Sequence, residues 1–313
     1  MRVGIVDCGT NTFNLLVAEL TDGGYEILHA SKIPVRIGKG GLNKGLILPD
    51  AEERAMQALR THKENAQLHG AESMHIFATS ALRNAENGKD IALRAKNELG
   101  LDIQIISGLE EASLIYEGVR LSGALDDKPA LIMDIGGGSC EFIYGTIAGF
   151  SYSQSFEIGV SRLVDRFPLS NPALPQEIGA VSDYLQQTLQ TLFRAVPADK
   201  PLILVGSSGT FDTFKDMYVA AHPAEEHKKT FLDLPSGEFA RMYTQITRAT
   251  LEERLQIPGM AAFRAEMMVA SVIAVQTIME HYDFPMIRTC AYSMKEGILK
   301  KVWNDVFNKN AAH

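Results

Sequence analysis

The sequence predicts an α/β protein made of two related domains, and three observations support this prediction. An apolar strand that reaches an aspartate and then a turn of small residues occurs twice, at Asp7 and at Asp134. Such self-similarity indicates a repeated unit that opens with a strand, a loop and a second strand. Short apolar strands and helices follow each copy. The chain has 313 residues, which suits two domains of ordinary size.

Composition excludes several classes of protein. The chain is 46% hydrophobic and 22% charged, which is typical of a soluble globular protein, and it contains no apolar run long enough to span a membrane. The first residues enter a strand directly, so we expect no secretory signal. Three widely spaced cysteines fit a reducing cytoplasm. The formal net charge of −8 argues against a general nucleic-acid binder.

The stretch LIMDIGGGSCE at residues 131–141 has the features of a phosphate-binding loop. Its strand reaches Asp134, and the loop that follows consists of Gly136, Gly137, Gly138 and Ser139. The peptide N–H groups of such a loop can turn to one side and bind an anion. The carboxylates of Asp134 and Glu141 would repel a phosphate unless a hard cation lay between them, so the pattern implies Mg²⁺. The alternative is an ordinary glycine-rich turn with incidental acids.

The first copy of this pattern has Thr10 and Asn11 in its loop, followed by a strand over 13–20. A loop between two strands differs from the strand-to-helix loop of Walker and dinucleotide-binding proteins, and no motif of those kinds is present. The segment 31–49 contains no acid and several basic residues, which are Lys32, Arg36, Lys39 and Lys44. It is either a solvated loop or a contact for the same anion.

Two further motifs of the first half carry candidate site residues. A strand over 74–78 runs into Arg83, whose planar fork suits phosphate oxygens, although a surface pair with Glu86 is the alternative. Further along, a helix opens with Glu110 and Glu111. Acids in a first turn are ordinary partners of the helix dipole, but one of these two could instead take a proton from water.

The second half begins after a junction expected at 121–129. A long helix is predicted over 175–196, a polar loop over 219–234 and a final helix over 295–307. Between the first two lies a third glycine-rich turn, in which the candidate anion-binding residues are Gly206, Ser208, Gly209 and Thr210. A plain strand-to-helix turn is the alternative. No histidines stand at metal-ligand spacing and no serine nucleophile elbow occurs, so zinc and acyl-transfer chemistry are not expected.

Six motifs that occur in order together resemble a known family. They are DCGTNT from Asp7, ATSALR from Ala78, ISGLEEA from Ile106, DIGGGSCE from Asp134, GSSGT from Gly206 and KEG from Lys295. The sequence resembles the exopolyphosphatase and guanosine pentaphosphate phosphohydrolase family, within the superfamily of actin, hexokinase and the heat-shock chaperone ATPases. The resemblance extends over essentially the whole chain.

The resemblance implies two ribonuclease-H-like (actin-like ATPase) domains, each a mixed sheet with flanking helices, with the active site in the cleft between them. We expect the first domain at 1–122 and the second at 123–295, with a last helix at about 296–313 that returns to the first domain.

The resemblance also implies roles for single residues. Glu111 would activate the attacking water, and Asp134 and Glu141 would hold Mg²⁺ and help to place that water. The reaction would be attack of this water on the terminal phosphoryl group of a phosphoanhydride. Phosphate contacts would come from Thr10, Asn11, Arg83, Gly136, Gly137, Gly138, Ser139, Gly206, Ser208, Gly209 and Thr210.

Two departures from the family pattern affect the expected function. Cys8 and Cys140 are interpreted as equivalent points of the two loops, which gives the hypothesis that oxidation of these thiols hampers binding. The chain resembles a short form of the family, so short polyphosphates and guanosine penta- or tetraphosphate are the expected substrates. An ATP-dependent small-molecule kinase and a non-catalytic alarmone sensor are the alternatives. We expect a cytoplasmic enzyme, and a homodimer by analogy with relatives.

Overall fold

The computed structural model describes residues 1–198, 203–223 and 230–307, which form two compact units. The first unit takes in Met1–Gly118 and, among the described residues, 294–307, and the second takes in Val119–Ser293. Residues 308–313 of the predicted last helix lie outside the described residues. None of the helices in the described ranges is both long enough and apolar enough to cross a lipid bilayer.

A five-stranded mixed sheet forms the centre of the first unit. Its strands are β1 (Arg2–Cys8), β2 (Thr12–Thr21), β3 (Gly24–Pro34), β4 (Ser73–Ala78) and β5 (Ile103–Ile105). Their spatial order is β3-β2-β1-β4-β5, with β2 antiparallel to both neighbours and β4 parallel to both of its neighbours. The helices along this part of the chain are α1 (Pro49–Leu68), α2 (Ser80–Asn84), α3 (Gly88–Leu99) and α4 (Gly108–Leu121).

A six-stranded mixed sheet forms the centre of the second unit. Its strands are β6 (Ala130–Ile135), β7 (Cys140–Thr146), β8 (Gly149–Phe156), β9 (Ile203–Ser207), β10 (Phe231–Pro235) and β11 (Met286–Cys290). The helices of this part are α5 (Val160–Arg166), α6 (Pro175–Thr188), α7 (Gln190–Ala195), α8 (Ser208–Ala221), α9 (Ser236–Arg248), α10 (Leu251–Leu255) and α11 (Met268–Tyr282). The last helix, α12 (Met294–Phe307), belongs to the first unit.

The strand order repeats between the two units, as the self-similarity of the sequence predicts. The order β3-β2-β1-β4-β5 of the first sheet corresponds to β8-β7-β6-β9-β11 of the second, in which β10 adds an antiparallel edge. Strands β1 and β6 lie inside their sheets and are apolar and buried along almost their whole length, which is typical of strands covered on both faces. The predicted α/β fold with two mixed sheets and flanking helices is confirmed.

Two predicted elements of the second half are wrong in extent. The helix predicted over 175–196 is divided into α6 and α7, which meet at Leu189. The polar loop predicted over 219–234 is regular at both of its described ends, because α8 continues to Ala221 and β10 begins at Phe231. Buried and exposed residues alternate along β10, which pairs with β11, and this period of two is the signal of a strand.

The hypothesis about the cysteines is wrong in its premise. The register pairs Cys8 with Phe13 in the first unit and Ile135 with Cys140 in the second, so Cys8 corresponds to Ile135 and not to Cys140. Both thiols are buried, and burial raises the pKa of each well above its ordinary value. Because the thiolate is the reactive form, the two thiols are poorly placed for oxidation.

Candidate active site

The acids Asp134 and Glu141 lie directly opposite each other on β6 and β7. Cross-strand partners project from one face of a sheet, with about 4.5–5.5 Å between their Cβ atoms. Both residues are buried, since only 4% of the surface of Asp134 and 1% of that of Glu141 is exposed to solvent. At the equivalent register of the first unit, Asp7 faces Asn14, whose amide donates a 3.1 Å hydrogen bond to the Asp7 carboxylate. The second unit therefore places two buried acids where the first has an acid and an amide.

Serine hydroxyls hold both of these carboxylates. Asp134 accepts hydrogen bonds from Ser207 (2.6 Å), Ser208 (2.7 Å to Oδ1) and Ser293 (2.7 Å). Glu141 accepts one from Ser155 over 2.7 Å. Of these four donors, sequence reasoning named only Ser208. Ser207 could have been predicted, because it neighbours Ser208 in the same motif. Ser155 lies on β8 and Ser293 in the turn after β11, and no sequence motif links either of them to the acids.

The acid pair has the donor set that Mg²⁺ requires from a protein. This ion is bound by one or two carboxylates, and water and substrate phosphates complete its octahedron. Two adjacent buried carboxylates repel each other, and a divalent cation between them would remove that repulsion. Within the described ranges, no group of three or more His, Cys, Asp or Glu side chains could hold a metal ion.

The loop at 136–139 joins β6 to β7, and its three glycine carbonyls all face the start of α5. The bonds run from Val160 N to Gly136 O (3.0 Å), from Ser161 N to Gly137 O (2.9 Å) and from Gly159 N to Gly138 O (3.2 Å). The N–H and C=O of a trans peptide point in opposite directions. The next N–H groups along the chain, those of Gly137, Gly138 and Ser139, therefore point away from α5.

No acceptor among the described residues is bonded to these three N–H groups. A row of peptide donors turned to one side forms a concavity that binds anions. The geometry thus agrees with the phosphate-binding loop that the glycine run predicts. Arg162 adds a positive charge beside it, because its Nε donates to Gly138 O over 2.9 Å and its guanidinium pairs with Glu157.

The corresponding loop of the first unit is tied to the basic segment that follows β3. Asn11 O accepts hydrogen bonds from Val35 N and Arg36 N, both at 2.9 Å, and Thr10 O accepts one from Ile37 N at 2.9 Å. Thr10 is buried, while Lys39 and Lys44 of the basic segment are exposed. The structure therefore joins the two features of the first half that were predicted separately, namely the small-residue loop and the basic segment.

Arg83 and Glu111, which lie 28 positions apart, form a partly buried ion pair. The Arg83 Nη1 to Glu111 Oε2 distance is 2.8 Å, and the two side chains are 17% and 9% exposed. Arg83 also donates to Ile106 O over 3.2 Å. The alternative, a surface pair with Glu86, is not what the structure shows. Two residues that were predicted from separate motifs are thus in direct contact.

The two adjacent glutamates of α4 have different environments. Glu110 accepts hydrogen bonds from Ser107 N and Ser107 Oγ, both at 2.9 Å, and its own N–H donates to Ser107 Oγ, which is a capping box. These bonds lower the pKa of the exposed Glu110 carboxyl. Glu110 therefore has the ordinary role of an acid in a first turn. Glu111 points the other way, into the partly buried contact with Arg83.

The third glycine-rich turn makes most of its contacts inside the second unit. A Cβ at Gly206 would overlap the Phe211 ring, and one at Gly209 would overlap the guanidinium of Arg264, which donates to Gly209 O. The Thr210 hydroxyl donates to Ser271 over 3.2 Å. The predicted phosphate contacts of this turn stay predictions.

The comparisons with known proteins all indicate the same family. The model of the Ppx/GppA phosphatase family matches residues 16–304. Exopolyphosphatase 1 of Mycobacterium tuberculosis is 26% identical over 301 residues, which is 96% of this chain and 87% of the relative. Exopolyphosphatase 2 of the same species is 27% identical over 286 residues, which is 88% of this chain and 89% of the relative.

Solved structures agree with these relatives. The crystal structure of an exopolyphosphatase from Cytophaga hutchinsonii is 35% identical, with a TM-score of 0.94 over 98% of this chain and 99% of the other. The Ppx/GppA family member from Aquifex aeolicus has a TM-score of 0.79 over 99% of both chains at 23% identity, so it supports the fold alone.

Proposed function

Since the chain belongs to the Ppx/GppA phosphatase family, we propose that it is an exopolyphosphatase that hydrolyses the terminal phosphoanhydride bond of inorganic polyphosphate. The observation that carries the proposal is the partly buried 2.8 Å pair of Glu111 and Arg83, in a chain 35% identical to a solved exopolyphosphatase. A positioned carboxylate can take a proton from water, and a guanidinium suits phosphate oxygens. Guanosine pentaphosphate has the same kind of terminal anhydride and is proposed as a second substrate.

In the proposed reaction, water attacks the terminal phosphorus atom in line with the bridging oxygen. A bond forms between phosphorus and the water oxygen while the anhydride P–O bond breaks, and the shortened chain leaves with the bonding electrons. Glu111 accepts the proton that the water loses. In phosphoryl transfer of this kind the protein forms no covalent bond to the substrate. Positioning and charge stabilisation therefore supply most of the rate enhancement.

Charge stabilisation is assigned to the loop at 136–139 and to Arg83. The three N–H groups that point away from α5 would hold the oxygens of the terminal phosphoryl group, where negative charge develops. Fixed peptide dipoles act there without having to reorganise during the reaction. Arg83 would contact the phosphate from the side of the base while it fixes the direction of the Glu111 carboxylate.

Asp134 and Glu141 are the residues that would hold Mg²⁺. When bound, this ion supplies Lewis-acid neutralisation of the charge on phosphate oxygens. The support for this assignment is the difference between the two units, since the equivalent Asn14 donates a hydrogen bond to its aspartate and a deprotonated Glu141 cannot. Variants at Glu111 and at Asp134 are expected to abolish the same activity.

The experiment that tests the proposal is a phosphate-release assay on tripolyphosphate, long-chain polyphosphate and guanosine pentaphosphate, each with Mg²⁺ and with EDTA. We expect Mg²⁺-dependent release of orthophosphate from polyphosphate, with the shorter chains preferred. Absence of release from every polyphosphate would overturn the proposal. Transfer of phosphate from ATP to an added acceptor, without free phosphate, would instead identify a kinase.

The contact between α5 and the loop at 136–139 gives a further prediction. A Cβ at Gly159 would lie 2.5 Å from the Gly138 carbonyl carbon, so Gly159→Ala must push the loop away from α5. Misplacement of positioning groups by about 1 Å costs about 10²-fold in rate, and we expect a loss of that order in kcat/KM for polyphosphate. Steady-state kinetics with saturating Mg²⁺ measures it.

The matched control is Gly179→Ala, in the middle of α6. A Cβ at Gly179 would meet no atom within 4 Å, and alanine favours a helix over glycine by about 0.5–1 kcal/mol. This variant should keep the activity and melt at the same or a slightly higher temperature. If Gly159→Ala keeps the wild-type kcat/KM, the position of the loop at 136–139 does not depend on its close contact with the start of α5.

A further inference from the structure

The Asp134 carboxylate is enclosed by three serine hydroxyls, two from the turn between β9 and α8 and one from the turn after β11. Oδ2 accepts from Ser207 at 2.6 Å and from Ser293 at 2.7 Å, and Ser208 lies 2.7 Å from Oδ1 and 2.8 Å from Oδ2. We infer that these serines are positioning residues for Asp134, and that their hydroxyls orient this carboxylate and do not contact phosphate. The inference rests on the proposed function.

The number of protons supports this assignment. A serine hydroxyl has a single proton, and a deprotonated phosphate oxygen can only accept a hydrogen bond. A serine that donates its proton to Asp134 therefore has none left for a phosphate. Two other polar groups of the turn are also engaged within the second unit, since the Thr210 hydroxyl donates to Ser271 and Gly209 O accepts from Arg264.

The backbone of Ser208 gives a second, independent argument. Its φ is 68°, in the left-handed region where glycine is favoured and a residue with a side chain is strained. The turn has glycine at 206 and 209, yet it has serine at this left-handed position. Strain of this kind persists where the side chain has a task. The hydrogen bond of the hydroxyl to Asp134 is the contact that glycine could not make.

The three hydroxyls also determine what Asp134 can still bind. A carboxylate has about four lone-pair directions, and three donors leave one, on the Oδ1 side. The carboxylate is thereby fixed in rotation and presents one free direction for the cation proposed above. Hydrogen-bonding partners of metal ligands typically contribute about 10–100-fold to metal affinity or activity.

The test uses Ser207→Ala, Ser293→Ala and Ser208→Gly in the full chain, with Ser182→Ala as the matched control. Ser182 is a half-buried serine of α6 whose hydroxyl lies 3.3 Å from that of Thr277 and does not contact the acid pair. One measurement is the rate of polyphosphate hydrolysis against free Mg²⁺. The other is binding of Mn²⁺ alone, measured by electron paramagnetic resonance without substrate.

We expect each of the three variants to raise the Mg²⁺ concentration for half-maximal rate by about 10–100-fold and to weaken Mn²⁺ binding equally, with the polyphosphate KM at saturating Mg²⁺ unchanged. Ser208→Gly removes the hydroxyl and relieves the backbone, so it should melt no lower than the wild-type protein. Ser293→Thr keeps the hydroxyl and should restore the metal response.

Two results would overturn the inference. One is an unchanged response to both metals in all three variants. The other is a raised polyphosphate KM with an unchanged metal response, which would return the turn to phosphate binding. Because Mn²⁺ binding is measured without substrate, it still decides the role of the serines if the protein proves inactive on polyphosphate.

Discussion

Replacement of Glu111 by glutamine is expected to lower the rate of phosphate release from polyphosphate by about 10²–10⁴-fold, the usual contribution of a general base. Glutamine has nearly the same shape, and its carbonyl can still accept the hydrogen bond from Arg83. What the amide cannot do is accept the proton that the attacking water loses. The variant should therefore stay folded and bind polyphosphate while its turnover is lost.

The matched control is the neighbouring substitution, Glu110→Gln. Glu110 closes a capping box with Ser107, and glutamine serves in that motif as well as glutamate does. We expect wild-type kcat and a melting temperature close to that of the wild-type protein. Phosphate release under saturating polyphosphate and calorimetric binding of polyphosphate measure the two effects separately. Equal loss in both variants, or retained turnover in Glu111→Gln, would show that Glu111 is not the base.

Glu141→Gln is expected to abolish activity and to stabilise the metal-free protein. It converts the acid pair of the second unit into the arrangement of the first, where an amide donates to the opposing aspartate. Activity should fall by more than about 100-fold, because even the outer partners of metal ligands contribute about 10–100-fold. Stability without metal should rise by about 1–3 kcal/mol, as a hydrogen bond to a charged group replaces a repulsion.

Urea unfolding in EDTA, followed by circular dichroism, measures that gain. The reciprocal variant, Asn14→Asp, places two acids side by side in the first unit and should lower its stability. The single tryptophan of the chain, Trp303, donates to Thr21 O over 2.8 Å in that unit, so its fluorescence reports on the first unit. A Glu141→Gln protein that keeps full, Mg²⁺-dependent activity would remove Glu141 from the site.

Much of the site was predictable because its residues lie in short motifs at the ends of strands. The glycine run after β6 and the acids on either side of it are visible as a pattern, and the family resemblance favoured a phosphate site over an ordinary glycine-rich turn. The choice between Glu110 and Glu111 was also open to a closer reading. Ser107 stands three residues before Glu110, and this spacing is the signature of a capping box, which leaves Glu111 as the acid available for another role.

Other parts of the site could not be read from local sequence. Ser155 and Ser293 reach the two acids only through the pairing of β7 with β8 and the position of β11 beside β9. Gly159 is required by the close approach of α5 to a loop about twenty residues earlier in the chain. Such requirements depend on tertiary packing, and a single sequence contains no periodicity or spacing that encodes them.

The Asn14 amide distinguishes the first unit from the second, and this difference affects how the stability of each unit depends on a bound cation. In the first unit the Asn14 amide donates a hydrogen bond to the Asp7 carboxylate, so no second acid stands at this register. If Asp134 and Glu141 hold Mg²⁺ as proposed, removal of the ion would leave the two carboxylates facing each other, and we expect it both to stop turnover and to destabilise the second unit. A ligand that binds only the folded state stabilises it, so we expect proteases to cleave this unit faster in EDTA than with Mg²⁺.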